Sequence, residues 1–195
     1  MSATGLILSA GESRRMGTPK ALLEYRGETF LDRLVGLFSE RCWPVIAVLG
    51  NAAAEIQARV TRPARFVLNP NYRSGQTGSL QCGLRAVPAG AEGVLFTLVD
   101  HPAVAPETLD TLLAQSGAME HPLVRVPRYR GERGHPVWFA SELIPEFLAL
   151  PEGAAARDVV RAHADRTEFL DLEDPGILAD IDDPQAYRDL MGAAQ

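Results

Sequence analysis

Three apolar residues, Leu6-Ile7-Leu8, run into Ser9-Ala10-Gly11 and then into a loop carrying Arg14, Arg15 and Lys20. A short apolar run ahead of glycine predicts an interior strand of a parallel sheet, with the chain leaving that strand at Gly11. The small residues Ser9, Ala10 and Gly11 let a ligand approach the backbone. Free N–H groups beyond them, the forked donors of Arg14 and Arg15, and the compact ammonium of Lys20 suit phosphate oxygens. Pro19 stiffens the approach to Lys20. For Glu12 and Ser13 the backbone counts for more than the side chain, and Arg14 reads equally well as a plain surface charge.

Neither of two common phosphate loops fits. A dinucleotide fingerprint needs G-x-G-x-x-G and a Walker loop needs G-x-x-x-x-G-K-[ST], but Gly11 and Gly17 are too far apart and Lys20 lies beyond Gly17. The first mismatch also disfavours a Rossmann oxidoreductase.

Strand-like and helix-like stretches alternate after the loop. Thr29 with Asp32 can open a helix, because Phe30, Leu31, Leu34, Val35, Leu37 and Phe38 recur at helical spacing. Strands are expected over 44–49, 65–68, 94–99, 123–126, 137–139 and 168–172. Further helices are expected over 52–60, 78–86, 106–115, 142–148 and 155–163. The polar turn Arg128–Gly134 reads as a mobile arm. Such alternation implies a mostly parallel sheet covered by helices, with ligands gathered at the carboxyl ends of the strands. Gly11, Asn51, Asn69 and Asp100 each follow a strand and would share that rim. With 195 residues, 46% of them hydrophobic, one domain spanning 1–195 is expected.

The charge distribution narrows the partners. A net charge of −6 argues against a general nucleic-acid binder, and the last 31 residues hold nine acidic and two basic side chains, so the cationic loop stands out locally. Cys42 and Cys82 lack metal-type spacing and read as inert thiols. No charged leader precedes an apolar stretch and no apolar run approaches about 18 residues, so a soluble cytoplasmic protein without a membrane partner is expected.

Asp100, in Leu98-Val99-Asp100-His101-Pro102, is a carboxylate at the end of an apolar strand, and a second acidic source is Asp180-Ile181-Asp182-Asp183-Pro184. Magnesium favours a few carboxylate oxygens together with substrate phosphates and water. If the second run is extended, Asp180 and Asp182 share a face opposite Ile181. Structural alternatives are a strand-end cap for Asp100 and a helix cap for Asp182 or Asp183.

The run Leu8–Leu23 spells L-x-A-G-x-S-x-R-M-G-x-P-K-x-L-L and resembles the signature of the MobA-like nucleotidyltransferases, especially the molybdenum cofactor cytidylyltransferase branch. Asn69–Leu84 resembles the family's N-P-x-[WY]-x-x-G-x-x-x-S-L-x-x-G-L stretch, and Gly134–Phe139 its R-G-H-P-V-x-F segment. The resemblance implies a three-layer, Rossmann-like GT-A sandwich and transfer of a nucleotidyl group from an NTP to a phosphorylated acceptor. Leu8, Ser9, Ala10, Gly11, Glu12, Ser13, Arg14, Arg15 and Lys20, with Asn69, Gly75, Gln76, Thr77 and Ser79, would bind nucleotide. Ser79 could also cap the following helix, and Gln76, Thr77 and Ser79 have a purely structural reading as a loop and helix start.

By the same resemblance, Arg15 would hold the leaving phosphates, Lys20 would stabilise charge at the α-phosphate, and Asp100 with Asp182 would hold Mg²⁺, with Asp180 the substitute for Asp182. His101 and His135 would face the acceptor, whereas Trp138 could equally be core. Alanine at Ala10, where guanylyl-transferring members resemble L-A-G-G, favours CTP. The implied acceptor is the molybdopterin cofactor, with transient contact to a molybdoenzyme or its chaperone. Ser9, the 98–102 spelling and Glu152–Arg157 depart from the cofactor enzymes. A sugar-phosphate or other small phosphorylated acceptor, and a non-catalytic nucleotide-binding cofactor chaperone, are therefore the alternatives.

Overall fold

The first strand, β1 (Ala3–Ser9), is buried along its whole length. The computed structural model describes residues 3–114 and 119–193. A small hairpin, β2 (Glu24–Tyr25) and β3 (Glu28–Thr29), leads into α1 (Phe30–Ser39). Then follow β4 (Val45–Leu49), α2 (Ala53–Arg59), β5 (Arg65–Leu68), α3 (Gln76–Leu84), β6 (Gly93–Leu98) and α4 (Pro106–Leu113). The remainder is β7 (Val124–Tyr129), β8 (Glu132–Arg133), β9 (Val137–Ala140), α5 (Ile144–Ala149), α6 (Arg157–Ala162), β10 (Thr167–Asp171) and α7 (Pro184–Ala193).

The main sheet runs β10-β7-β9-β6-β1-β4-β5, with β8 paired to β7. Contacts of β1 with β4 and β6, of β4 with β5, and of β10 with β7 are parallel, whereas β9 runs antiparallel to both its neighbours. The expected mostly parallel α/β sandwich is what the chain forms. Period-two alternation divides its interior. Ile7, Ala47 and Leu95 face Phe30, Leu34 and Phe38 of α1, while Leu6, Leu8, Ile46 and Val48 face Leu80 and Leu84 of α3. Trp138 joins the first layer and Phe139 the second, so Trp138 is core. A side chain at Gly83 would come within 2.5 Å of the Leu6 side chain, and its absence lets α3 settle onto β1.

Thr29 caps α1 by accepting a hydrogen bond from the Asp32 N–H. Asp32 in turn accepts from the backbone N–H groups of Thr61 (2.8 Å) and Arg62 (2.7 Å) and from the Thr29 hydroxyl. Burial works against its charge, but those donors outweigh it and hold Asp32 below the usual carboxylate range. A depressed folded-state pKa adds stability above the unfolded value, and this is lost as pH falls through the folded one. Asp32→Asn is therefore expected to destabilise at pH 7, with the gap from the parent narrowing below about pH 4. Denaturant titrations at pH 7 and pH 3 measure both; a gap independent of pH would contradict the ionised acceptor.

Three sequence expectations need correction. The helix expected over 78–86 begins at Gln76, because Gly75 at φ 110° is the residue that can turn into it, and Ser79 lies inside the helix instead of capping it. The polar turn is a hairpin, with Arg130 and Gly131 at φ 51° and 86° joining paired β7 and β8, a two-residue turn whose twist matches the strands. The helix expected over 106–115 is observed as Pro106–Leu113, and Gln115 lies outside the described residues.

Candidate active site

A cleft of about 560 Å³ opens at the carboxyl ends of β1 and β6. Its lining includes Leu8, Ser9, Ala10, Gly11, Glu12, Ser13, Arg14, Arg15 and Lys20 from the first loop, Gly75, Gln76 and Ser79 from the start of α3, and Asp100 and Asp182. The loop is closed on itself. Ser13 at φ 49° accepts the N–H groups of Met16 and Gly17 on its carbonyl, and its hydroxyl oxygen accepts the Lys20 N–H at 3.1 Å. The Ser13 side chain thus fixes where Lys20 leaves the loop, a task that weighting its backbone alone missed.

Lys20 points to the cleft floor. Its Nζ lies 2.8 Å from Asp100 Oδ2 and 2.6 Å from Asp182 Oδ1, and Arg15 reaches Asp182 Oδ2 at 2.8 Å. Asp182 arrives there because residues 175–182 cross the sheet end, where Ile177 O accepts from the His135 N–H and the Ile181 N–H donates to Asp100 O. A side chain at Gly134 would collide with the Ile177 carbonyl. Ile181 is buried, which turns Asp180 and Asp182 outward together as their spacing implies. Asp183 caps α7 by accepting the N–H groups of Gln185 and Ala186, leaving Asp182 to the cleft.

Charge states follow from these contacts. Burial opposes the charge on Asp100, but His101 and Lys20 overcome it and hold the carboxyl well below its usual range. Hydrogen bonding from Lys20 does the same for Asp182. Burial opposes the Lys20 ammonium, yet Asp100 and Asp182 raise its pKa. Burial together with the charges of Asp100 and Asp182 raises that of Asp180. An ionised Asp100 only accepts, so the His101 nitrogen 3.1 Å from its Oδ1 carries a proton.

Asp100, Asp180 and Asp182 bring one carboxylate oxygen each within 4.8 Å of one another. Hard oxygen donors so spaced fit a divalent cation, whose ligands sit about 2.0–2.6 Å away depending on its size. The cluster includes both residues proposed for the second ligand.

Other expected residues lie elsewhere. Asn69 is buried outside the first cleft, where its amide donates to Ser79 Oγ at 3.0 Å and ties the end of β5 to α3. Thr77 donates to the Ala154 carbonyl and lines a second cleft of about 550 Å³, as does His135. Gln76 lines both clefts. His101 is buried between Asp100 and His135, with the two imidazole rings 4.9 Å apart. Burial first, and His101 beside it, push the His135 pKa down to about 4, so it is neutral near pH 7. The second cleft has apolar walls that include Leu80, Phe96, Phe139 and Phe147, with Arg133 and Arg157 among its lining. Arg73, paired with Glu12 at 3.0 Å, lines the first cleft but was not singled out from sequence. Its signal was a cation beside Tyr72 within the Asn69 segment.

The family model described as MobA-like NTP transferase domain matches residues 5–167. The chain belongs to that family. Nicotine blue oxidoreductase of Paenarthrobacter nicotinovorans is 32% identical over 195 residues, covering 95% of each chain. A probable molybdenum cofactor guanylyltransferase of Mycobacterium avium is 38% identical over 118 residues, 58% of this chain and 57% of that protein. Among solved structures, Rv0371c of Mycobacterium tuberculosis H37Rv is 30% identical with a TM-score of 0.84, covering 98% of this chain and all of that one. A manganese complex of Rv0371c matches at 28% identity and TM-score 0.81, covering 99% of this chain and 100% of that one. Among the described residues no helix is long and apolar enough to cross a membrane.

Proposed function

We propose that this MobA-like protein is a divalent-metal-dependent nucleotidyltransferase that moves a nucleoside monophosphate, from CTP by preference, to a phosphorylated acceptor. The observation that carries the reading is the meeting of Lys20, Arg15, Asp100 and Asp182 at the sheet end beside a small-residue loop. The acceptor phosphate oxygen attacks the α-phosphorus, the bond from that phosphorus to the β-bridging oxygen breaks, and pyrophosphate leaves. Catalysis then consists of positioning and charge neutralisation, with no covalent nucleophile. Arg15 holds the departing phosphates and Lys20 meets charge growing at the α-phosphate. Asp100 with Asp182 would hold Mg²⁺, and Asp180 is close enough to join them. The bound cation supplies Lewis-acid neutralisation of phosphate oxygens. That the similar protein Rv0371c has a solved complex with manganese supports a divalent metal in the reading.

Ala10 favours the smaller pyrimidine, although one methyl supplies only about 1 to 3 kcal/mol of discrimination. Phe96, Phe139 and Phe147 on the second cleft would offer surfaces to a flat ring such as that of molybdopterin, a contact a sugar phosphate lacks, and Arg133 and Arg157 would meet an anionic group. His135 would touch that acceptor as a neutral ring, and buried His101 would position it from behind.

Thermal-shift titrations with CTP, GTP, ATP and UTP, each with and without Mg²⁺, test the reading. At one hundred times Kd, CTP with Mg²⁺ should raise the midpoint by roughly 5 to 10 °C. A GTP-selective rise would overturn the pyrimidine preference alone. A rise with NADH and none with any NTP would overturn nucleotidyl transfer, and that arm matters because a relative aligned over 95% of its length is named an oxidoreductase.

A further inference from the structure

We propose that Lys20 and the divalent cation are alternative occupants of one position, and that an arriving triphosphate opens this position to metal by drawing the ammonium onto itself. The inference rests on the nucleotidyltransferase reading and concerns the order in which its site is assembled. The Lys20 ammonium bridges Asp100 and Asp182, two of the three carboxylates whose oxygens converge. A cation bound by those two carboxylates would need the same space between them. An ammonium and a dication would compete for it, because they would stand in contact between the same two carboxylates and repel each other.

The geometry leaves the stem of Lys20 as the moving part. Its backbone N–H is held by Ser13 Oγ, and the following residues, Ala21 and Leu22, are buried in a short helical turn. The four-carbon side chain, by contrast, can swing between acceptors with little change in the loop. The triphosphate offers such acceptors on the same side as Arg15, which also sits on Asp182. Phosphate oxygens would therefore lift both cations from Asp182 and leave Asp100, Asp180 and Asp182 with three negative charges to be met by metal. Linkage makes the effect reciprocal: if nucleotide favours metal, metal favours nucleotide by the same factor.

The test is Mn²⁺ binding without nucleotide, read from the loss of the free-ion electron paramagnetic resonance signal. Lys20→Met keeps the stem and removes the competing charge, and should tighten Mn²⁺ binding by about tenfold or more. Arg15→Met removes an equally charged but more exposed partner and should change it by less than about threefold. Adding Asp100→Asn to Lys20→Met should abolish the gain, and Lys20→Gln should reproduce it, with thermal midpoints confirming that each variant is folded. Equal Mn²⁺ affinity in the parent and Lys20→Met would overturn the shared position. Equal tightening in Arg15→Met would also overturn it, by showing that general charge and not occupancy is responsible. The two levels of inference fail separately. A Mg²⁺-dependent CTP shift with no gain in Lys20→Met rejects the competition alone, and a gain without any nucleotide shift rejects the nucleotide reading while the competition stands.

Discussion

Lys20→Met should lower the turnover number for pyrophosphate release by about 10²- to 10³-fold, the loss typical of removing one preorganised donor from a developing oxyanion. The Michaelis constant for nucleotide should move much less, because Arg15 and the backbone of the first loop still hold the triphosphate. The same variant is expected to bind metal more tightly, so its two responses run in opposite directions. An unspecific disturbance of the cleft would weaken both. A lysine acting only as a structural counter-ion would yield a less stable protein with nearly full turnover per folded molecule. Steady-state pyrophosphate assays beside the metal titration distinguish these cases, and turnover within about threefold of the parent would remove Lys20 from the chemistry.

Much of this arrangement was readable in advance because it depends on local rules. An apolar run before Gly11 has few destinations other than a buried parallel strand, and the alternation through Phe38, Leu49 and Leu98 specifies the layers. Asp180 and Asp182 could be assigned to one face by strand spacing alone. What local rules could not supply was the partner of each charge. Lys20 and Asp182 are 162 positions apart in sequence, and the crossing of residues 175–182 over the sheet end joins them. Nor could they show that the amide of Asn69, at the end of β5, donates to Ser79 of α3. The hairpin at Arg130-Gly131 was hidden by its charge, since arginine at positive φ is not a standard turn signal.

The buried pair of Arg125 and Glu168 was also silent in the sequence, and it carries the largest expected effect on stability. Their side chains are 2% and 5% exposed, and Arg125 Nε lies 3.1 Å from Glu168 Oε2. The guanidinium also donates to the Leu112 carbonyl at 3.0 Å and to the Ala114 carbonyl, while its carbon lies 5.3 Å from the centre of the Trp138 ring. Glu168 accepts from the Met119 N–H at 3.1 Å, so the pair ties β10 to β7 and to the end of α4. Glu168→Leu leaves a buried guanidinium without its counter-charge and should cost about 3 to 5 kcal/mol in denaturant unfolding. Arg125→Met combined with Glu168→Leu should cost less than Glu168→Leu alone, because both charges are then gone and the remaining penalty comes from the unpaired carbonyls and N–H. Val126, next to Arg125 on β7, lines the second cleft, whereas no β7 residue lines the first. A Glu168→Leu protein kept well below its melting point should therefore retain the CTP-dependent thermal shift while its Michaelis constant for the acceptor rises. Loss of both together would mean that the first cleft also depends on β7.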